Sequence, residues 1–148
     1  MFKKITLLIM VMAIFIFSPR AFAEQWIDLE SPDPQVKIQL NIDSVQQHII
    51  YENTYVAKIK KIIDPEKAAK TEYPRWRKVT TLKTTEEIDF DKRLVRTLNF
   101  IAYDNSDRRL MNSTIPSKWS SFSDGSVMSN IEKIINENKE QIKDRPRF

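Results

Sequence analysis

The sequence contains no cysteine, only one histidine and only one glycine among its 148 residues. Without cysteine there is no disulfide, no thiolate metal site and no cysteine nucleophile, so a hydrophobic core must hold the fold. A serine triad would need His48, but the residues around Ser44 and Ser113 do not form a nucleophile turn. A metal site with one histidine would depend on carboxylates. We therefore predict a non-enzymatic protein without a cofactor or metal, with His48 as an ordinary polar strand residue.

The first 23 residues have the layout of a secretory signal peptide. Lys3 and Lys4 precede an uncharged apolar run at positions 5–17, and Ala21 and Ala23 supply the two small residues that signal peptidase recognises. The alternative is a membrane anchor, but a spanning helix needs about 20 apolar residues. We predict cleavage before Glu24 and an exported chain, in the periplasm or at the outer cell surface, with no stable membrane span after cleavage.

The positive charge of the chain lies mostly in this leading segment. The whole sequence has 24 lysines and arginines against 20 aspartates and glutamates. Lys3, Lys4 and Arg20 belong to the predicted signal peptide, which has no acidic residue, so the remainder has 21 basic against 20 acidic side chains. This small excess gives no reason to predict a nucleic-acid partner.

Several runs alternate apolar and polar residues, as half-buried strands do. The clearest is 36–43, followed by 53–63. Two further runs, 82–90 and 94–103, meet at the charged corner 91–93, and we predict that they pair as the centre of the sheet. A helix is the alternative for 94–103, because some of its apolar residues are also helically spaced. Its β-branched and aromatic residues favour the strand.

The last periodic segment is predicted to be a helix that begins after Ser126, a plausible N-cap. Its apolar residues form one stripe, which consists of Val127, Met128, Ile131, Ile134 and Ile135. The predicted fold is therefore α+β, with an antiparallel sheet of about 5–6 strands and one amphipathic C-terminal helix packed on one face. We place the domain at 24–137 and expect 138–148, which is polar and basic, to form a flexible tail.

A series of short motifs runs through most of residues 25–136. They are Trp26, NIDS at 41–44, EID at 87–89, KRLVR at 92–96, Tyr103-Asp104, Trp119 and Gly125-Ser126. In order and spacing they resemble the surface-adhesin protein E family, small exported domains of Gram-negative bacteria. The resemblance implies a sheet with a C-terminal helix on one face, and a role in binding host matrix or serum proteins at the bacterial surface.

The sequence departs from the family at two positions. Members usually carry a cysteine after the EID motif and another ten residues beyond the helix-opening serine, and here those positions are Phe90 and Asn136. The disulfide that the resemblance implies, typically worth about 2–4 kcal/mol, is therefore absent. We expect Phe90 to pack on the stripe of Ile131, Ile134 and Ile135, which would replace about 1.5–3 kcal/mol of it.

A basic patch and an acidic run are candidate sites. Lysines at 58–61 and the basic, aromatic stretch 73–78 would form one patch if their runs pair, and its residues would be Lys58, Lys60, Tyr73, Arg75, Trp76 and Arg77. Such a patch suits an acidic polysaccharide, an anionic lipid surface or an acidic protein loop, although lysines also protect sheet edges.

The second candidate site is the acidic run of Glu86, Glu87, Asp89 and Asp91, in which Glu86 is predicted to face away from the others. Calcium binding and acid–base chemistry are alternatives there to simple pairing with nearby basic residues.

These observations predict an exported, non-enzymatic binding protein that resembles surface adhesins, with a protein or an acidic polysaccharide as its ligand. The alternative is a periplasmic or envelope accessory protein with a structural or interaction role and no adhesive activity. The missing disulfide is the reason to keep this alternative open, since so broad a family is expected to include periplasmic proteins with no adhesive role. The sequence leaves the ligand and the oligomeric state open.

Overall fold

The computed structural model describes residues 24–148, and these form one antiparallel sheet of seven strands. The strands are β1 Trp26–Leu29, β2 Val36–Gln47, β3 Thr54–Ile63, β4 Thr81–Asp89, β5 Leu94–Tyr103, β6 Arg109–Ser113 and β7 Ser120–Ser121. The predicted antiparallel sheet is confirmed, with more strands than the five to six expected. The predicted signal peptide, with Ala21 and Ala23, lies outside the described residues and stays a prediction.

The first six strands follow one another across the sheet in chain order. β6 pairs with the end of β5, and β7 pairs with its beginning, on the same edge. β4 and β5 pair through nearly their whole length, from Thr81 opposite Tyr103 to Asp89 opposite Leu94. The prediction that 82–90 and 94–103 pair as strands is therefore confirmed. The corner between them ends at Arg93, whose φ of 55° places a non-glycine residue in the left-handed region.

Between residues 24 and 148 the chain also forms three short helices and one 3-10 turn, where the sequence predicted a single helix. They are α1 Pro65–Ala69, the 3-10 turn Pro74–Trp76, α2 Val127–Glu137 and α3 Lys139–Lys143. Asp64 caps α1, since its carboxylate accepts a hydrogen bond from the amide of Glu66 at 2.8 Å. Ser126 precedes α2, as predicted, but its side chain makes no capping hydrogen bond.

The core lies on one face of the central strands, where the buried apolar residues of β2 and β3 alternate with more exposed ones. Leu40 of β2 lies opposite Ile59 of β3, and Tyr55 of β3 lies opposite Ile88 of β4. These four belong to one hydrophobic cluster, which also contains Ile131 and Ile135 of α2 and Ile142 of α3. We call this side of the sheet the core face.

Phe90 is buried in this cluster, with 7% of its surface exposed. Its ring centroid lies 5.9 Å from that of Tyr55 and 6.2 Å from that of Phe122. Ile131 and Ile135 belong to the same cluster, while Asn136 is exposed. Phe90 thus contributes apolar contacts where the family resemblance implies a cysteine.

Residues 138–148 contact the sheet in the structure, and their expected behaviour as a flexible tail stays a prediction. Ile142 of α3 is 1% exposed, and the guanidinium of Arg145 donates to the carbonyl oxygens of Ile42 and Val45. The carbonyl of Phe148 accepts a hydrogen bond from the amide of Ile49 at 2.9 Å. The segment is thus held by the burial of Ile142 in the core and by hydrogen bonds to β2 and the residues after it.

Acid is expected to weaken the turn between β5 and β6. The carboxylate of Asp104 accepts hydrogen bonds from the amides of Ser106 and Arg108, at 2.9 and 3.0 Å, and from the Arg108 side chain. These bonds, led by the Arg108 amide, lower the pKa of Asp104 below its ordinary value. A carboxyl group whose pKa is lower in the folded state stabilises the fold above its unfolded pKa, and that contribution disappears as the pH falls through the folded pKa.

Asp104→Asn should therefore show a smaller loss of stability between pH 5 and pH 2 than the parent protein, measured by urea unfolding at each pH. Asp144→Asn, which changes an exposed carboxylate, is the matched control. Identical pH dependence in the parent and in Asp104→Asn would contradict the assignment.

Candidate binding surface

Three lysines come together on the side of the sheet opposite the core face. Ala57 and Ile59 of β3 are buried, so the alternate residues Lys58 and Lys60 project from the other side. Lys83 of β4 lies directly opposite Lys60 in the β3–β4 register. We call this surface, formed by Trp26, Lys58, Lys60, Lys83 and Tyr103, the basic face.

Two aromatic rings lie beside these lysines. Trp26 of β1 pairs with Asn41 of β2, which in turn pairs with Lys58, so all three lie on the same side. The Lys60 ammonium lies 4.3 Å from the centroid of the Trp26 ring, and the Lys83 ammonium lies 5.3 Å from that of Tyr103. Both distances are within the range of cation–π attraction. The rings therefore help to hold the two charges on the surface.

The positive charges of the basic face are weakly compensated. Like charges directly opposite one another on neighbouring strands repel, and within residues 24–148 Lys58, Lys60 and Lys83 form no ion pair. Partial burial lowers the pKa of Lys60, and the charge of Lys83 lowers it further. Glu24 and Asp28 act in the opposite direction with smaller effect. An anion bound between the lysines would relieve this repulsion.

A small cavity of about 160 Å³ opens on the basic face. Its lining includes Trp26, Lys58, Lys83, Thr85, Asn99 and Ile101, with Glu24 as its one carboxylate. Cavities for whole small-molecule ligands usually measure about 300–1,000 Å³. This one is the size for a single group, such as a carboxylate or sulfate carried by a larger ligand.

The structure divides the patch that the sequence predicted. Lys58 and Lys60 lie on the basic face, but 73–77 do not pair with β3, whose partner is the strand beginning at Thr81. Pro74 starts a 3-10 turn, since its ring fixes φ and it has no amide to donate to a sheet. Within residues 24–148 these two runs do not pair, so the condition on which the single patch depended is not met.

The remaining residues of the predicted patch lie elsewhere. The Trp76 ring packs 5.7 Å from that of Phe100, whose partner Thr84 is on the core side of β4. Tyr73 is 69% exposed, Arg75 lies in the 3-10 turn, and the Arg77 Nε donates to the carbonyl of Thr71 at 3.2 Å. In their place the structure contributes Trp26, Lys83 and Tyr103. No pattern in the sequence marks these three, because only the strand register brings Trp26 beside Lys60, Lys83 opposite Lys60, and Tyr103 beside Lys83.

The acidic run is paired residue by residue. Glu86 is buried beside the Thr97 hydroxyl at 3.0 Å, on the core side, while Glu87 and Asp89 lie on the other side, as alternation predicted. The other partners are Arg96 for Glu87 at 2.6 Å, Lys92 for Asp89 at 3.1 Å and Asn53 for Asp91 at 2.7 Å. In residues 24–148, no three acidic or histidine side chains are grouped to hold a metal ion. Glu87 and Asp89 thus pair with nearby basic residues, as the pairing alternative predicted.

The fold and the basic face together define the class of this protein: a small antiparallel-sheet domain with short helices and a charged, aromatic surface. No family model matches the sequence, and no curated protein sequence matches it. Within the part of the chain that is described, no helix is long and apolar enough to cross a membrane.

Solved structures of Haemophilus influenzae protein E are similar to this chain. One is 13% identical with a TM-score of 0.52, covering 86% of this chain and 94% of that one. A second crystal form is 12% identical with a TM-score of 0.53, covering 81% and 93%. A selenomethionine form is 11% identical with a TM-score of 0.53, covering 81% and 92%. At these identities the likeness shows a protein E-like fold.

Proposed function

We propose that this chain is an exported, non-enzymatic binding protein of the adhesin type, whose basic face binds acidic segments of host matrix or serum proteins or an acidic polysaccharide. The observation that carries the proposal is the pair Lys60 and Lys83. They lie opposite each other on the neighbouring strands β3 and β4, and the Lys60 ammonium lies beside the Trp26 ring. The protein E-like fold supports it, because the resemblance drawn from the sequence motifs implied the same fold.

The geometry of the basic face suits an extended ligand with repeated negative charges. Neighbouring strands lie about 4.8 Å apart, and alternate residues of one strand about 6.6 Å apart. Lys58, Lys60 and Lys83 thus spread their ammonium groups over a flat surface rather than around one deep cavity. Since exposed charges are screened by salt, binding should weaken as ionic strength rises.

The core face, on the opposite side of the sheet, has a structural role in this proposal. We propose that α2 covers the core face through Ile131 and Ile135, as the burial of both residues supports. The absence of enzymatic activity belongs to the same proposal. It is supported by His48, whose Nδ1 accepts hydrogen bonds from the amides of Ile50 and Tyr51 at 3.0 and 3.2 Å.

Lys60→Glu is expected to weaken binding to heparin, an acidic polysaccharide, by about tenfold at 0.15 M salt, or ~1.4 kcal/mol. The substitution places a carboxylate directly opposite Lys83 on the neighbouring strand, and this attraction should help to retain the fold. The positive charge that Lys60 offers to heparin is lost. Isothermal titration calorimetry with heparin measures the change, and matrix and serum proteins are then tested on the same variants.

Lys133→Glu on the exposed side of α2 changes the net charge equally and is the matched control. Equal losses in both variants would show an effect of overall charge and would contradict a role for the basic face.

The second candidate is the periplasmic or envelope accessory protein without adhesive activity. The observation that favours it is the absence of both cysteines of the disulfide that the resemblance implies, at Phe90 and Asn136. Protease treatment of intact cells separates the two candidates. Digestion of this protein while a periplasmic control stays intact supports the adhesin, whereas protection that is lost on lysis favours the accessory role.

A further inference from the structure

We propose that a second cavity, separate from the basic face, binds a sulfate or phosphate ester group. It lies at one end of the sheet, between the segment that leads into β4 and the turn from β5 to β6, and has a volume of about 410 Å³. Three cationic side chains line it, and these are Arg77, Lys78 and Arg108. Lysines 58, 60 and 83 do not line it, so the two sites are distinct.

The positive charge of this cavity exceeds its negative charge. Asp104 is the only carboxylate in the lining, and its oxygens already accept hydrogen bonds from Ser106 and Arg108. Arg77 and Lys78 form no ion pair within residues 24–148. The lining therefore keeps two positive charges without a partner.

The Arg77 side chain is held in position by a hydrogen bond to the main chain of a nearby residue. Its Nε donates to the carbonyl of Thr71 at 3.2 Å, which orients the guanidinium at the cavity. The terminal nitrogens of an arginine oriented in this way form a planar fork, which matches two oxygens of a sulfate or phosphate. Lys78, the next residue, adds a point charge beside it.

Neutral polar groups complete the donor set. Thr80 and Ser106 contribute hydroxyl groups and Asn105 an amide to the lining. A sulfate or phosphate ester has three terminal oxygens and can use the arginine fork, the lysine and these donors together, whereas a carboxylate has only two oxygens. The volume is also in the range of about 300–1,000 Å³ for ligand cavities, so the sugar or peptide that carries the ester has room.

The test is a titration of the full domain with sodium sulfate and, separately, with sodium phosphate, at constant ionic strength kept with chloride. Amide chemical shifts in 77–80 and 104–108 are expected to move and to saturate. Lys78→Gln and Arg77→Gln should each raise the dissociation constant about tenfold or more, because each removes a charged donor. Lys118→Gln, outside both sites, is the matched control.

Glucosamine 6-sulfate and glucose 6-phosphate then distinguish the source of the ester, and tighter binding of either one supports the site. Shifts that do not saturate, or saturable binding that is unchanged in both variants, overturn the proposal. If Arg77→Gln loses its fold with the Thr71 contact, Lys78→Gln still decides the result, since Lys78 is exposed. Lys60→Glu, which tests the basic face, should leave this titration unchanged. Failure of the second site and failure of the proposed function are therefore distinguishable.

Discussion

Replacing Ile131 by alanine is expected to lower the free energy of unfolding by about 2–5 kcal/mol. Ile131 is 0% exposed and belongs to the same cluster as Leu40, Ile59 and Ile88 of the sheet. Truncation would remove apolar contacts and leave a cavity, which the surrounding strands can close only in part. Urea unfolding at pH 7, followed by circular dichroism, measures the loss.

Ile115→Ala is the matched control for this prediction, because Ile115 is 81% exposed and the same atoms are removed there. Its effect should stay within about 0.5 kcal/mol. An Ile131→Ala variant as stable as the control would mean that α2 does not cover the core face. A double-mutant cycle with Phe90→Leu should give a coupling of about 0.5–3 kcal/mol if Phe90 packs on the stripe of α2.

Ile142→Ala alone is expected to lower the free energy of unfolding by about 2–5 kcal/mol. Removal of residues 139–148 should lower it further. Ile142 is 1% exposed in the core, and the deletion also removes the donors that Arg145 supplies to the carbonyls of Ile42 and Val45. Part-buried carbonyl oxygens that lose these donors add a further cost. Thermal and urea unfolding of the shortened and full chains measure the difference.

Ile142→Ala in the full chain tests the same contact if the shortened protein cannot fold, and Lys143→Ala, an exposed neighbour, is its control. A shortened protein with unchanged stability would support the prediction that this segment is a flexible tail.

The strands with strict alternation were predictable because their pattern is local. Val36, Ile38, Leu40 and Ile42 stand at every second position, as do Tyr55, Ala57 and Ile59, and one buried face removes these side chains from water together. The split of Glu86 from Glu87 followed from the same period of two. The short helix α3 escaped prediction because Ile142 is its only apolar residue, so no stripe marks it.

The sequence by itself determined which side chains share a face of a strand: Lys58 with Lys60, and Glu87 with Asp89. It did so because the alternation of side chains depends only on the extended backbone. The tertiary structure alone decided which strands became neighbours and in which register, and so it placed Lys83 opposite Lys60. Register depends on how buried faces and turns fit together over the whole sheet, and no short stretch of sequence contains that information.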